Sequence, residues 1–225
     1  MQIAIDGPAG AGKSTVAKLV ADKLGFLYVD TGAMYRALTF QVLQQGIDPK
    51  DDLAVFSILQ KLDIKLLPPA SKGESCRVLV NHQEVTDQIR DPSVSQNVAI
   101  VASHALVRKA MVDLQRRLAA STDVVMDGRD IGTTVLPQAD VKVFLTASTE
   151  ERARRRCAEL VQQGYEVNLN DLAADIQKRD HLDMTREVSP LRKADDAVEI
   201  DTTHLSIDQV VDRVLELVAR REKRV

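Results

Sequence analysis

Ile3-Ala4-Ile5-Asp6-Gly7-Pro8-Ala9-Gly10-Ala11-Gly12-Lys13-Ser14-Thr15 runs from a short apolar segment through a glycine-rich turn into a helical pattern. Residues 7–14 match GxxxxGK[ST], and they sit after a strand and before a helix, where the chemistry of that pattern requires them. Glycines let backbone N–H groups turn inward around phosphate oxygens, and the start of the helix adds positive potential. Gly7, Pro8, Ala9, Gly10, Ala11, Gly12, Lys13, Ser14 and Thr15 are therefore the candidate triphosphate site. Lys13 is expected to reach the β- and γ-phosphates and the Ser14 hydroxyl to ligate Mg²⁺, with ATP as the nucleotide.

Beyond this loop, Val16, Leu19, Val20 and Leu24 recur at helical spacing, and Gly25 stands as the helix C-cap. Phe26–Val29 reads as the next strand, followed by a helix over about 32–45 that Gly46 ends. Val124–Met126, Val141–Leu145 and Ala197–Ile200 are further strands, and an amphipathic helix covers about 206–222. Strands alternating with helices predict an α/β fold, a parallel sheet covered by helices on both faces. Two stretches break the rhythm. Residues 63–86 read as strand, turn (Pro68–Gly73) and strand, a small antiparallel insert. Residues 148–192 read as an almost wholly helical, arginine-rich lid carrying Arg152, Arg154, Arg155, Arg156, Arg179, Arg186 and Arg192. The expected organisation is a single domain over 1–225, with core segments of about 1–62, 104–147 and 193–225. The acceptor-side insert is set at about 63–103 and the lid at about 148–192.

Composition narrows the class. A hydrophobic share of 44% is enough for a sizeable core, and 28% charged residues fit an ordinary soluble surface. A net charge of −3, no Trp, three Tyr and four Phe argue against a nucleic-acid-binding module, which needs a basic face and stacking platforms. Cys76 and Cys157 belong to no CxxC or Cys/His cluster and fit free thiols in a reducing compartment. The four histidines show no metal spacing. No leader pattern and no long apolar window is seen, so a cytoplasmic chain without membrane contact is expected, and a monomer.

Asp127 ends an apolar strand, where a phosphate-loop protein needs a carboxylate to hold magnesium or its water. A helix cap at the strand exit is the alternative. Asp30-Thr31-Gly32-Ala33-Met34-Tyr35-Arg36 opens the second helix with a capping hydroxyl, Thr31, and places Arg36 a turn and a half in. Asp127-Gly128-Arg129-Asp130 follows a strand as well. In an open parallel sheet both segments emerge at the carboxyl edge beside the phosphate loop. Two arginines from successive strand ends there suit an anionic acceptor, whereas either one alone reads better as a surface ion pair.

These residues resemble the bacterial cytidylate kinases of the nucleoside monophosphate kinase group. The likeness runs nearly end to end: IDGPAGAGKST at 5–15, DTGAMYR at 30–36, DGRDIGT at 127–133, FLTASTEERARRR at 144–156, RDHLDMTREVSPL at 179–191 and IDTTHLSIDQV at 200–210. The resemblance implies transfer of the γ-phosphoryl group of ATP to CMP, and to dCMP. It assigns the CMP phosphate to Arg36, Arg129 and Arg186, which with Lys13 form the catalytic set. It places cytosine near Arg108 and Asp130 and the pentose near Arg179 and Asp183, with Thr31 also on the substrate side and Arg155 and Arg156 on the nucleotide donor. Cytosine offers an N4 donor and acceptors at N3 and O2, so one carboxylate and one guanidinium complement it. Uracil would set acceptor against acceptor. Where many relatives carry a serine that touches the base, Ala99 stands here, which predicts weaker rejection of UMP.

Arg179, Asp183 and Arg186 fall at i, i+4 and i+7, on one helical face, either as a substrate site or as a charge ladder worth only ~0.3–0.5 kcal/mol per pair. Arg152, Arg155 and Arg156 share a face too, as a lid over phosphates or as a solvated surface. Ser189-Pro190 is expected to end the lid helix. Two other readings stay open: a kinase of the same architecture for a different small acceptor, and a P-loop GTPase, against which the absence of an NKxD-like motif counts.

Overall fold

A computed structural model describes residues 1–68, 76–162 and 164–223. The expected Pro68–Gly73 turn falls, apart from Pro68, outside the described residues. The elements, in order, are β1 (Gln2–Asp6), α1 (Lys13–Leu24), β2 (Leu27–Asp30), α2 (Thr31–Gln44), α3 (Asp52–Leu59), β3 (Ile64–Leu67), β4 (Arg77–Val80) and β5 (Gln83–Glu84). There follow α4 (Pro92–Val101), α5 (Ala105–Ala119), β6 (Val124–Gly128), β7 (Val141–Thr146), α6 (Thr149–Gln162), α7 (Leu169–Thr185), β8 (Val198–Asp201) and α8 (Ile207–Glu222). A 3-10 turn covers Gln88–Arg90 and a π-helical turn covers Ile131–Val135.

Five strands form one sheet in the order β2-β6-β1-β7-β8, and the β1–β6, β1–β7 and β7–β8 pairs are parallel. The sheet reads as expected: short apolar runs, each followed by a helix. Central strands buried on both faces need no alternation, and β1 and β6 are apolar at successive positions. Ile3, Ile5, Val125, Val143, Leu145 and Ile200 on one face meet Val16, Val20, Val210, Val214 and Val218 of α1 and α8. Ala4 and Met126, on the other face, are fully buried as well. The start of α8 is fixed by a reciprocal cap. Ser206 Oγ accepts from Gln209 N–H at 3.2 Å, and Gln209 Oε1 accepts from Ser206 N–H at 2.9 Å.

The chain divides into two compact units, one of residues 1–28 with 118–225 and one of residues 29–117. In the second unit α2 packs on α4 and on β4, and β3-β4-β5 form a separate antiparallel sheet. The insert therefore has three strands rather than two. The third is the short, polar Gln83–Glu84, which the hydrophobic pattern could not signal; the turn into it puts Asn81 and His82 at positive φ. The expected cap of α2 also changes hands. The Asp30 carboxylate, not the Thr31 hydroxyl, accepts from Ala33 N–H at 2.8 Å, and Thr31 is the first helical residue, buried. Cys76 and Cys157 are both free thiols. Among the described residues no helix is long and apolar enough to cross a membrane.

Candidate active site

The phosphate loop lies in the first unit, between β1 and α1. Gly7 adopts φ 147, and a side chain there would run into the Leu145 carbonyl oxygen of β7, so the loop passes too close to the sheet for any other residue. Helix α1 begins at Lys13 with Gly12 as its cap residue, and no side chain caps it. Its first amides thus keep the arrangement that receives an anion. Lys13 is buried and its Nζ donates to Pro8 O at 2.7 Å, across the loop it closes. Burial pulls the ammonium pKa down to about 7, the positive charges of Arg129 and Arg179 push the same way, and Asp127 and Asp183 oppose them.

Asp127, the next-to-last residue of β6, is buried and accepts from Ser14 Oγ at 2.8 Å on Oδ2 and from Tyr28 O–H at 2.9 Å on Oδ1. It is inside the strand rather than at a helix start, so the capping alternative fails. A hydroxyl beside a carboxylate is an all-oxygen donor pair suited to Mg²⁺. No group of three or more His, Cys, Asp or Glu able to hold a metal occurs among the described residues. Ser14 and Asp127 alone fit a cation that takes most of its ligands from phosphates and water.

A second charged group in the same unit joins the segment after β6 to the end of α7. Arg129 Nε donates to Asp183 Oδ2 at 2.8 Å, Arg186 lies 3.5 Å from Asp183 Oδ1, and Arg186 lies 3.6 Å from Asp130 Oδ1. Asp130, Asp183 and Arg186 are all buried. Burial by itself would raise the Asp183 pKa, but Arg129, Arg179 and Arg186 outweigh it and hold the carboxyl below its ordinary value. Arg129 is likewise disfavoured by burial and more than compensated by Asp183. Arg179 is different. Burial, then repulsion from Arg129, lowers it to about 10, and its Nε has no hydrogen-bond partner. Arg129 and Arg179 thus disfavour the Lys13 ammonium, Asp127 and Asp183 offset part of that, and a bound polyanion would favour the cation further.

Arg186 is not on the helical face expected of it. Helix α7 stops at Thr185, and Arg186 follows with φ −59 and ψ 142, its Nε donating to Ser189 O at 2.7 Å. The helix thus ends before Ser189-Pro190, at the point where Arg186 leaves the helical path beside Asp183 and Asp130. The three residues do converge, and Asp183 makes its shortest bond to Arg129, across elements, rather than along its own helix.

The arginines of α6 separate into distinct roles. Arg152 is buried and bonds Ala147 O (3.0 Å), Thr149 Oγ1 (3.2 Å), Ala9 O (3.1 Å) and Asp180 Oδ2 (2.6 Å), tying α6 to α7 and to the phosphate loop. Arg155 donates to Thr202 Oγ1 at 3.1 Å and Thr202 O at 2.7 Å, and the Thr202 hydroxyl lies 3.3 Å from Ala11 O of the loop. Arg156 pairs with Glu159 and the exposed Arg154 with Glu151.

In the second unit, Arg108 is fully buried, donating to Ala102 O at 3.2 Å with its guanidinium 5.5 Å from the centre of the Tyr35 ring. Arg36 donates to Ser95 Oγ at 2.8 Å and Ile89 O at 3.4 Å. Ala99 is buried in α4.

Similarity to known proteins agrees with this geometry. A family model described as cytidylate kinase matches residues 3–220. The chain belongs to the cytidylate kinase family. A cytidylate kinase of Carboxydothermus hydrogenoformans is 52% identical over 221 residues, covering 98% of both chains, and one of Geobacillus kaustophilus is 55% identical over 221 residues, covering 98% of this chain and 97% of that one. Among solved structures, an uncharacterized protein from Eubacterium ventriosum shares the fold at a TM-score of 0.51 and 13% identity, over 97% of this chain and 98% of that one.

Sequence reasoning gave no individual role to Asp6, Tyr28, Asp180 or Thr202, all of which touch the machinery. Asp6 carried the clearest signal, a carboxylate at the end of an apolar strand immediately before the loop. Its partners, Ile131 and Gly132, lie 125 and 126 residues away.

Proposed function

We propose that this chain is an ATP-dependent nucleoside monophosphate kinase that moves the γ-phosphoryl group of ATP to CMP, and to dCMP, giving ADP and CDP or dCDP. The observation that carries the reading is the placement of buried Lys13 beside Arg129 and Arg179, whose charges disfavour its ammonium, with the Arg179 Nε left without a partner. Anionic phosphates brought among these cations would favour their charged forms. Full-length similarity to curated cytidylate kinases supports the choice of acceptor.

In the reaction, an oxygen of the CMP phosphate attacks the γ-phosphorus in line. A new P–O bond forms, the bond from the γ-phosphorus to the β-bridging oxygen breaks, and the electron pair leaves with ADP. The attacking phosphate is already an anion, so positioning and charge neutralisation do the work of a base. Loop amides and Lys13 hold the donor phosphates, and Arg129 and Arg186 hold the acceptor phosphate. Asp130 accepts from the cytosine amine, and Asp183 and Arg179 serve the pentose side. Ser14 and Asp127 would hold Mg²⁺, which would supply neutralising charge to the donor phosphates. Arg155 and Arg156 serve the donor nucleotide. Thr31, Arg36 and Arg108, all in the second unit, are assigned to CMP by the family resemblance. The partition into core, acceptor-side insert and lid belongs to the same proposal.

A coupled assay of ATP with CMP, dCMP, UMP and AMP tests it. ADP formation should require an acceptor and be fastest with CMP or dCMP. ADP formation independent of acceptor, or fastest with AMP, would overturn the assignment.

A further inference from the structure

Asp6 closes β1 one residue before the loop and is paired in register with Gly128 of β6. It is 4% exposed, and its two carboxylate oxygens have separate tasks: Oδ1 accepts from Ile131 N–H at 2.8 Å and Oδ2 from Gly132 N–H at 2.7 Å. These are the first two amides of the π-helical turn Ile131–Val135, and the opening amides of any helical turn lack partners within it. The residue that ordinarily satisfies them is the one just before the turn. Here that residue is Asp130, a side chain well suited to capping, yet its carboxylate makes no bond to the turn. Its backbone carbonyl serves the turn, accepting from Thr134 N–H at 2.8 Å and Val135 N–H at 3.2 Å. Its carboxylate instead lies 3.6 Å from Arg186.

We propose that Asp6 is a positioning residue for the acceptor site: by capping the Ile131–Val135 turn from a neighbouring strand, it releases the Asp130 carboxylate from capping and fixes Arg129 and Asp130 against the phosphate loop. The inference rests on the reading of Asp130 as a cytosine contact. Gly132 is part of the device. A Cβ there would sit 3.3 Å from Asp6 Oδ2 and 3.2 Å from Lys142 Cδ, so any larger residue would press on the carboxylate where it reaches the second amide. One carboxylate thereby joins the start of the donor loop to the start of the acceptor turn.

Removing it should return Asp130 to its own turn, since an uncapped turn and an adjacent aspartate are a favourable pair. Asp6→Asn has one acceptor oxygen where two are used, and its amide N–H₂ would face an N–H. We expect KM for CMP to rise about tenfold and the CMP-over-UMP ratio of kcat/KM to fall, while the ATP dissociation constant stays within about twofold. Gly132→Ala displaces the carboxylate without removing it and should give the same pattern at about threefold. It decides the question by the same criteria if Asp6→Asn does not fold. A lowered Tm with KM and the ratio unchanged would reduce Asp6 to a structural residue and overturn the proposal. An equal loss of ATP and CMP affinity would overturn it too, by assigning Asp6 to the loop alone. Asp130→Asn, measured alongside, separates the two levels. If it leaves the CMP-over-UMP ratio unchanged, the cytosine assignment itself is wrong; if it lowers the ratio and Asp6→Asn does not, only the positioning role fails.

Discussion

Residues 7–14 reach their geometry within one short loop, using backbone amides, the positive-φ glycines Gly7, Gly10 and Gly12, and the start of α1. Arg129 and Asp183 meet only because segments 54 residues apart fold onto each other, and they interact through side-chain charge. The loop is thus a backbone device with one cation added, whereas the cluster is an ion-pair network whose members support one another. Loss of a side chain should therefore remove function alone from the loop, and both function and stability from the cluster.

Lys13→Ala carries the largest expected effect, a fall in turnover of about 10²–10³-fold, as for removal of one preorganised charge donor. Its Tm should not fall, because burial already disfavours the Lys13 ammonium and, among the described residues, its one hydrogen bond goes to Pro8 O. Arg129→Ala should lower turnover too, but with a loss of about 3 kcal/mol in unfolding free energy, since it leaves Asp183 buried with its shortest bond gone. Equal stability losses in the two variants would erase the contrast.

Acid-base behaviour sharpens it further. Lys13 in the free protein titrates near pH 7, against 10.5 when unperturbed, so the folded state binds fewer protons than the unfolded one between those values. This group's contribution to stability accordingly grows as pH rises through that window. Bound phosphates would restore the proton. ATP binding at pH 8 should take up close to one proton, seen as a dependence of calorimetric enthalpy on buffer ionisation heat, and Lys13→Ala should abolish it. Asp6 has the opposite sign. Its carboxyl is raised from 3.8 to about 6, first by burial and then by Asp130, against its two backbone bonds and Lys13, so its contribution is full below 3.8 and lost as pH rises toward 6. The smallest effect is reserved for Arg154→Ala, whose exposed pair with Glu151 should be worth less than about 0.5 kcal/mol in a denaturant titration and nothing in turnover.

The same contrast explains what could be read from the amino-acid order. The loop, α1 with its Gly25 cap, and the apolar strands are local patterns, and the residues that carry them are consecutive. Asp127 was legible because a carboxylate at the end of an apolar run is conspicuous. The pairing of Arg129 with Asp183, the tie from Arg152 to Asp180 and Ala9, and the bonds from Asp6 to Ile131 and Gly132 depend on tertiary closure, which spacing does not encode. Resemblance supplied Arg129 and Arg186 for the acceptor phosphate and Asp183 for the pentose, but not who bonds whom. Local chemistry also misled twice. Asp30 and Thr31 are both good caps, and the carboxylate won because it sits one position earlier. Ser189-Pro190 is a sound stop signal, yet α7 ends at Thr185, where Arg186 takes an extended ψ of 142.

The division of labour is tested most directly by calorimetric titration of ATP and of CMP into the Lys13→Ala and Arg129→Ala proteins. ATP binding should weaken in the first with CMP binding kept, and CMP binding should weaken in the second with ATP binding kept. If either variant loses both ligands to the same degree, loop and cluster do not hold separate substrates and the account is wrong.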